Sequence, residues 1–270
     1  MSDTPGATNV PSPSSMSPTP RFETRLATSP EDIRAAQRLR YEVFVAELGG
    51  DGTMVDHDAR LEQDAFDDHA EHLLLLDHTR APDPVVGVYR LMMAPQAEQA
   101  GGWYTASEYD LTPLLTTGRK VLELGRSCLH LDYRGGVGMM LLWQALADLV
   151  LAREVEILFG VASFHGTNPE ALAAPLSLLH HRHLAPSQLR PIARAPHAVD
   201  MNRLPEAQID RPAALRAVPS LIKAYLRLGG CVGAGAWVDH RFNTTDVCLV
   251  LDIDKLSDKQ RALYMRKDRP

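Results

Sequence analysis

The stretch Val121–Phe164 constrains the fold more than any other part of the chain. Val121–Leu129 is an apolar-rich strand, Tyr133-Arg134-Gly135-Gly136-Val137-Gly138 is a glycine-rich turn, Met139–Ala152 is a strongly apolar helix, and Glu156–Phe164 reads as a second strand bounded by Gly166, Asn168 and Pro169. A sheet carrying helices has to be built around that unit. Upstream, Ser29-Pro30-Glu31-Asp32 supplies an N-cap, a proline at the first helical position and an acidic first turn, with Asp32 placed to close a capping box. The helix it opens runs to about Leu48, where Gly49-Gly50 ends it. His72–Leu76 and Val85–Met93 flank the Pro- and Asp-containing segment Asp77–Pro84 and form a predicted hairpin. A His/Pro/Arg-rich connection leads to a helix over Ala213–Leu228 with a break at Pro219. Val247–Asp252 is a closing strand and Ser257–Met265 a short final helix. The order predicts an α/β fold with a mixed sheet, not a regular βαβ array.

A chain of 270 residues can bury roughly 70–75% of its unfolded surface, so it needs neither disulfides nor metal to hold a core. Three cysteines, Cys128, Cys231 and Cys248, show no C-x-x-C spacing, which disfavours a disulfide scaffold, a zinc ribbon or a thioredoxin-like site. Lys+Arg 28 against Asp+Glu 34 gives a net charge of −6, which disfavours a nucleic-acid binder. No apolar run approaches the roughly 20 residues of a membrane span. Residues 1–20, rich in Ser and Pro and without a signal-peptide pattern, are expected to be a disordered tail, and residues 21–270 a single domain of cytoplasmic character. The charge is uneven. Ala46–Asp77 holds ten acids against Arg60 alone, and His180–Arg227 holds eight bases against three acids. Such blocks are either solvated surface or faces that attract different partners.

Arg40 and Glu47 fall on the apolar stripe formed by Ile33, Ala36, Leu39, Val43 and Phe44. An arginine there either snorkels to the rim or is paired. His72 and Asp77 match an H-x-x-x-x-D spacing, but residues five apart on a strand face opposite ways, so the match is accidental. His180-His181-Arg182-His183 lacks a partnered acid or cysteine at ligand spacing and reads as an exposed polar stretch, so no metal site is expected. The glycine turn exposes backbone N–H groups at a helix start, the arrangement that binds phosphate, yet it fits neither the P-loop nor the dinucleotide pattern.

Four motifs occur in order: Arg40-Tyr41-Glu42-Val43-Phe44, Asp64-Ala65-Phe66-Asp67, Gly87-Val88-Tyr89-Arg90-Leu91 and Glu123-Leu124-Gly125-Arg126. The series resembles the acyl-homoserine-lactone synthases, which have the GCN5-related N-acyltransferase-like fold. The stretch from Pro219 to Gly230 and the segment Asp239–Val247 are more similar to the bacterial L-ornithine Nα-acyltransferases of ornithine-lipid synthesis. The resemblance covers about residues 22–265. It implies a mixed, largely antiparallel sheet flanked by helices. It also implies transfer of a 3-hydroxy fatty acyl group from acyl carrier protein to the α-amine of L-ornithine, giving lyso-ornithine lipid. No permanently bound cofactor is then expected, since the 4′-phosphopantetheine thioester is a co-substrate. A lipid product implies transient contact with the inner membrane surface. An acyl-homoserine-lactone synthase-like or other N-acyltransferase, and a non-catalytic acyl-carrier-binding protein, remain the alternatives.

Aminolysis of a thioester needs a neutral amine, and Glu123 is the candidate general base. Arg40, Asp64, Asp67, Arg90 and Arg126 are candidates for substrate binding or for a buried ion-pair network along the active-site wall, to which Glu123 also could belong. On a straight strand Glu123 and Gly125 share a face and Arg126 points away. A bulge at Gly125 would bend the strand and free N–H groups for an oxyanion. Arg134, Gly135, Gly136 and Gly138 are the expected phosphopantetheine contacts, although Val137 and Met139 stand where the family's coenzyme A loop has glycine and glycine or alanine. A single phosphate, rather than a pyrophosphate, suits such a partial cradle. The basic block from His180 to Arg227 is the expected dock for the acidic carrier protein.

Overall fold

A computed structural model describes residues 19–257 and Gln260. The expected tail lies almost wholly outside the described residues, as does most of the expected helix Ser257–Met265. One mixed sheet of nine strands forms the body. In chain order its long elements are strand β1 (Phe22–Leu26), helix α1 (Pro30–Arg40), β2 (Glu71–Asp77), β3 (Val85–Met93), β4 (Val121–Leu129), α2 (Gly138–Ala152), β5 (Ile157–His165), α3 (Ala173–His183), α4 (Arg211–Ala217), α5 (Ser220–Arg227), β6 (Ala236–Asp239) and β7 (Thr244–Asp252). The sheet runs β1-β2-β3-β4-β5-β7-β6, antiparallel throughout except for β4 beside β5.

The run Leu73-Leu74-Leu75-Leu76 shows how both faces are covered. Leu73 and Leu75 pack with Leu142 and Leu146 of α2, whereas Leu74 and Leu76 pack with Ala36 and Leu39 of α1. A strand buried on both faces reads as an unbroken apolar run, as here. Ser29 caps α1 by accepting from the Asp32 amide at 3.3 Å. The Asp32 carboxylate closes its loop one residue early, on the Thr28 amide at 2.8 Å, because two bonds to Arg25 at 2.6 and 2.7 Å hold it there. Helix α1 continues as a π-helical turn over Tyr41–Glu47. The break expected at Pro219 separates α4 from α5.

Two sequence expectations need correction. Strand β1 was not anticipated. The histidine stretch is not an exposed connection: it forms the last turn of α3, whose Leu176, Leu178 and Leu179 are buried, and His181 meets the Leu204 carbonyl at 2.9 Å.

Strands β4 and β5 pair in parallel for only three residues, Val121–Glu123 against Ile157–Phe159. Beyond them β4 stays with β3 and β5 with β7, so the sheet opens. Two local features shape the opening: one splays the ladder, and the other lets the strands approach closely at its base. A bulge sets Arg126 and Ser127 together against Tyr89, with Arg126 at φ +50°. On the facing strand, a Cβ on Gly160 would collide with the Leu124 carbonyl oxygen. We expect Gly160→Ala to cost about 1–3 kcal/mol of stability as the two strands are forced apart. A melting temperature lowered by several degrees, with a raised KM for the acyl donor, is the result that thermal denaturation and kinetics should return.

Candidate active site

The opening holds a cavity of about 230 Å³, lined by Gly125, Arg126 and Ser127 on one side and Gly160, Val161 and Ser163 on the other. Its inner end meets Leu158, Tyr225 and Leu251, which also wall a smaller, apolar cavity beside Trp143, Leu146 and Val150. The two spaces therefore share a wall, with the bulged backbone on one side and hydrocarbon on the other.

Beside this opening lies a closed ring of alternating charges. Arg40 on α1 pairs with Glu62 and, at 2.7 Å, with Asp67. Asp67 bonds Arg90 at 2.9 Å, and Arg90 bonds Asp64 at 2.5 Å. Asp64 bonds Arg126 at 2.9 Å, and Arg126 returns to Glu62 at 3.1 Å. Three guanidinium groups and three carboxylates cancel, which is the condition for burying them together. Arg40 is fully buried, so it does not snorkel. The ring pins the loop bearing Glu62, Asp64 and Asp67 onto β3 and β4. Burial alone would raise the Asp67 carboxyl, but Arg40 and Arg90 override it and hold the group well below the usual range. Phe66, Tyr104 and Phe242 close over the ring, with Arg126 at 4.6 Å from the Tyr104 ring centre and 5.2 Å from that of Phe242.

Glu123 is not a member of the ring. Its carboxylate is buried and accepts from the Thr105 amide at 2.6 Å and the Tyr104 amide at 3.1 Å. Burial pushes its pKa up, against the opposing pull of those hydrogen bonds. The bulge falls one residue later than expected, at Arg126–Ser127 instead of Gly125, and this changes where Arg126 goes. An extra residue reverses the alternation of the strand, so Arg126 stacks on Tyr104, whose amide holds Glu123, instead of pointing away from it.

At the start of α2, Gly135 adopts φ +75° and the turn over 134–137 brings the amides of the first helical residues to the surface of the loop. Arg134 is less free than its neighbours. Its guanidinium makes a two-pronged bond to Glu47 at 2.6 and 2.7 Å and a third to the Leu129 carbonyl. His72 and Asp77 do not meet: His72 approaches the Asp67 carbonyl at 3.4 Å, and Asp77 accepts from Tyr133 at 2.8 Å. Cys128 is pushed up to about 12 by burial, and Cys248 well above its ordinary value, so neither is a ready nucleophile.

An acetyltransferase (GNAT) domain model matches residues 39–144, the span from Arg40 to the first turns of α2. The L-ornithine N(alpha)-acyltransferase of Rhodobacter capsulatus is 56% identical over 249 residues, covering 91% of this chain and 95% of that protein. The chain belongs to the L-ornithine N(alpha)-acyltransferases. The Brucella abortus enzyme of that name is 40% identical over 90% of this chain and 88% of its own length. Among solved structures, FeeM, an N-acyl amino acid synthase from uncultured soil microbes, superposes with a TM-score of 0.52 at 13% identity, covering 92% of this chain and 97% of that one. That likeness concerns the fold. The protein is thus an acyltransferase with a GNAT-type sheet flanked by helices.

Two groups of residues escaped the sequence reading. Glu62 was one, and a signal for it existed: Arg40, Arg90 and Arg126 against Asp64 and Asp67 leaves one buried positive charge too many, and Glu62 lies two residues before Asp64. The other is a cluster of Glu108, Asp239 and Asp246, all buried, with carboxylate oxygens within 4.8 Å of one another. Burial, with Asp246 and Asp239 beside it, pushes Glu108 well above the usual carboxylate range. Burial likewise pushes Asp246 up to about 6.

Proposed function

We propose that the opening between β4 and β5 transfers a 3-hydroxy fatty acyl group from acyl carrier protein to the α-amine of L-ornithine, the reaction that yields lyso-ornithine lipid. The observation that carries this reading is a cavity at the splayed strands that shares a wall with an apolar one. Its mouth exposes bulged backbone beside Glu123, and its inner end is apolar. The thioester carbonyl sits at the bulge, where N–H groups released from the ladder stabilise the oxyanion. The acyl chain runs past Leu158 toward Leu146 and Val150, gaining about 0.8 kcal/mol per buried CH₂. Glu123, directly or through one water, takes the proton from the α-ammonium. The neutral amine then forms the C–N bond as the C–S bond breaks; the departing pantetheine thiolate takes the second amine proton and leaves as the thiol, and Glu123 returns its own proton to solvent. Arg126, which lines the cavity, is placed to receive the acceptor's carboxylate.

The amides of Gly135, Gly136 and Gly138 suit the single phosphate of the pantetheine arm, with Arg134 contributing charge from its seat on Glu47. The carrier protein itself docks on the basic block, though not at every base in it. Arg190 donates to the Ala185 carbonyl at 2.6 Å and Arg194 pairs with Asp110 at 3.8 Å. Arg211, Arg216 and Arg227 on α4 and α5 are exposed instead, next to Leu221 and Tyr225 of the cavity wall. No helix of the described residues is long and apolar enough to cross a membrane, so contact with the inner membrane by the lipid product is peripheral in this reading.

The test is direct. The purified chain is incubated with 3-hydroxyacyl carrier protein and ornithine, and the products are read by mass spectrometry, with acyl-coenzyme A as a parallel donor. N-acyl-ornithine from the carrier-bound donor supports the proposal. Product from acyl-coenzyme A alone overturns the donor assignment, and no N-acyl-ornithine from either donor overturns the function.

A further inference from the structure

The mechanism leaves Glu108, Asp239 and Asp246 without a task. They come from three separate elements: the segment after the turn Tyr104–Ser107, the end of β6, and the start of β7. The ladder puts them beside the catalytic carboxylate. Glu123 stands opposite Phe159, two residues from Val161 and four from Ser163. Ser163 stands opposite Asp246, and Thr244, two residues before Asp246, stands opposite Asp239. Side chains at even spacing share a face. Glu123, Ser163, Asp246 and Asp239 therefore line one face of the sheet, and Glu108 comes down onto that face from the loop whose amides hold Glu123. Ser163 also lines the cavity, which joins the cluster to it.

Among the described residues, no cationic side chain forms an ion pair with the trio. The guanidinium that feels it is Arg126, which donates to Glu62 and Asp64. Glu108 is 2% exposed, yet its Oε2 has no hydrogen-bond partner, and Asp246 Oδ1, 4% exposed as a residue, has none either. Asp239 spends one oxygen on the Arg241 and Phe242 amides, at 2.7 and 3.2 Å. Buried carboxylates left open in this way are costly unless a cation enters with its own donors. A primary ammonium brings one charge and three N–H donors, one for each carboxylate.

We propose that Glu108, Asp239 and Asp246 bind the side-chain ammonium of the acceptor amino acid, and so make the enzyme select a diamino acid. The inference rests on the ornithine reading given above and deepens it. With the carboxylate on Arg126 and the distal ammonium in the trio, the α-amine is left facing Glu123 and the thioester. Selection then follows from two terms. An ornithine-like acceptor brings a charge and donors to three buried carboxyl groups, whereas an acceptor ending in a methyl group leaves them open. Sites built on buried polar groups reject such analogues by large factors.

The full-length enzyme is assayed with 3-hydroxyacyl carrier protein and either ornithine or norvaline, its analogue lacking the distal amine. Wild type, Glu108→Gln and Asp246→Asn are compared in kcat/KM and in the rise of melting temperature on adding each amino acid without donor. Wild type should favour ornithine at least 100-fold and be stabilised by it. Each variant should lose most of that ratio through a raised KM for ornithine, and lose the ornithine-dependent thermal shift. A preserved ornithine-to-norvaline ratio overturns the inference, as does stabilisation of wild type by Mg²⁺, Ca²⁺ or Mn²⁺ alone that the variants abolish, which would assign the trio to a metal. Failure of the underlying function looks different, because wild type then acylates neither amino acid. The variants remove buried charge, so they are expected to melt no lower than wild type, which separates loss of recognition from loss of fold.

Discussion

Glu123→Gln is expected to lower kcat by about 10²–10⁴-fold, the range general-base assistance supplies. The substitution also has a structural consequence that the sequence alone did not suggest. Both carboxylate oxygens accept from amides, of Thr105 and Tyr104. A glutamine can present its oxygen to only one of them and sets its own NH₂ against the other. A small fall in melting temperature should therefore accompany the loss of turnover. The two roles separate in the pH profile. Burial raises the Glu123 pKa, so the base form, and with it the rate, is gained as pH rises through that value. If Glu123 is the base, this acidic limb of kcat/KM disappears in the variant. If it only holds the Tyr104–Thr105 turn, the variant melts lower, keeps the limb, and stays within tenfold of wild-type kcat. That second pattern would retire the assignment.

What could be read from the sequence was decided by short-range rules. Alternation and capping located α1, the β2–β3 hairpin, β4, β5 and the split between α4 and α5. The misplaced charge at Arg40 was legible because an apolar stripe leaves an arginine few choices, and burial in the structure settles which one it takes. What escaped was long-range or hung on a single residue. Glu62 joins its partners only after the loop folds back over 22 and 64 residues of chain to Arg40 and Arg126. The bulge could be anticipated near Gly125, but its slip to Arg126–Ser127 exchanges the faces of everything after it, and alternation cannot see that. The acid trio joins Glu108 to Asp239 and Asp246, more than a hundred residues further along the chain. Yet once strand pairing is known, parity alone carries Glu123 to Ser163, Asp246 and Asp239. Register was the missing information, not residue chemistry.

Asp67→Ala should be the most destabilising single change in the charge ring, by about 3–5 kcal/mol, the usual result of orphaning a buried charge. The argument is one of partners. Asp67 is bonded to Arg40 at 2.7 Å, to Arg90 at 2.9 Å and to Gln37 at 3.0 Å. Removing it leaves three buried guanidinium groups facing two carboxylates and opens the ring between Arg40 and Arg90. Exposed pairs of similar length, such as Arg60–Glu42 at 2.7 Å, hold two solvated side chains and contribute little. At about 2–4 °C per kcal/mol, calorimetry should show Asp67→Ala melting on the order of 10 °C below wild type. The pH dependence supplies the sign. Glu62, Asp64 and Asp67 all lie below their ordinary values in the fold. Their contribution is complete above about pH 4 and is lost as pH falls toward the folded values. Glu108, Asp246 and Glu123 act in the opposite sense: their raised values make the fold less stable as pH climbs from about 4 past 6. Wild type should therefore be most stable in mildly acidic buffer and lose stability steeply below pH 4. In Asp67→Ala that acid-side fall should be shallower, because part of what acid removes is already gone. A melting temperature within 2 °C of wild type, with an unchanged acid limb, would mean the ring positions the active-site wall without stabilising it.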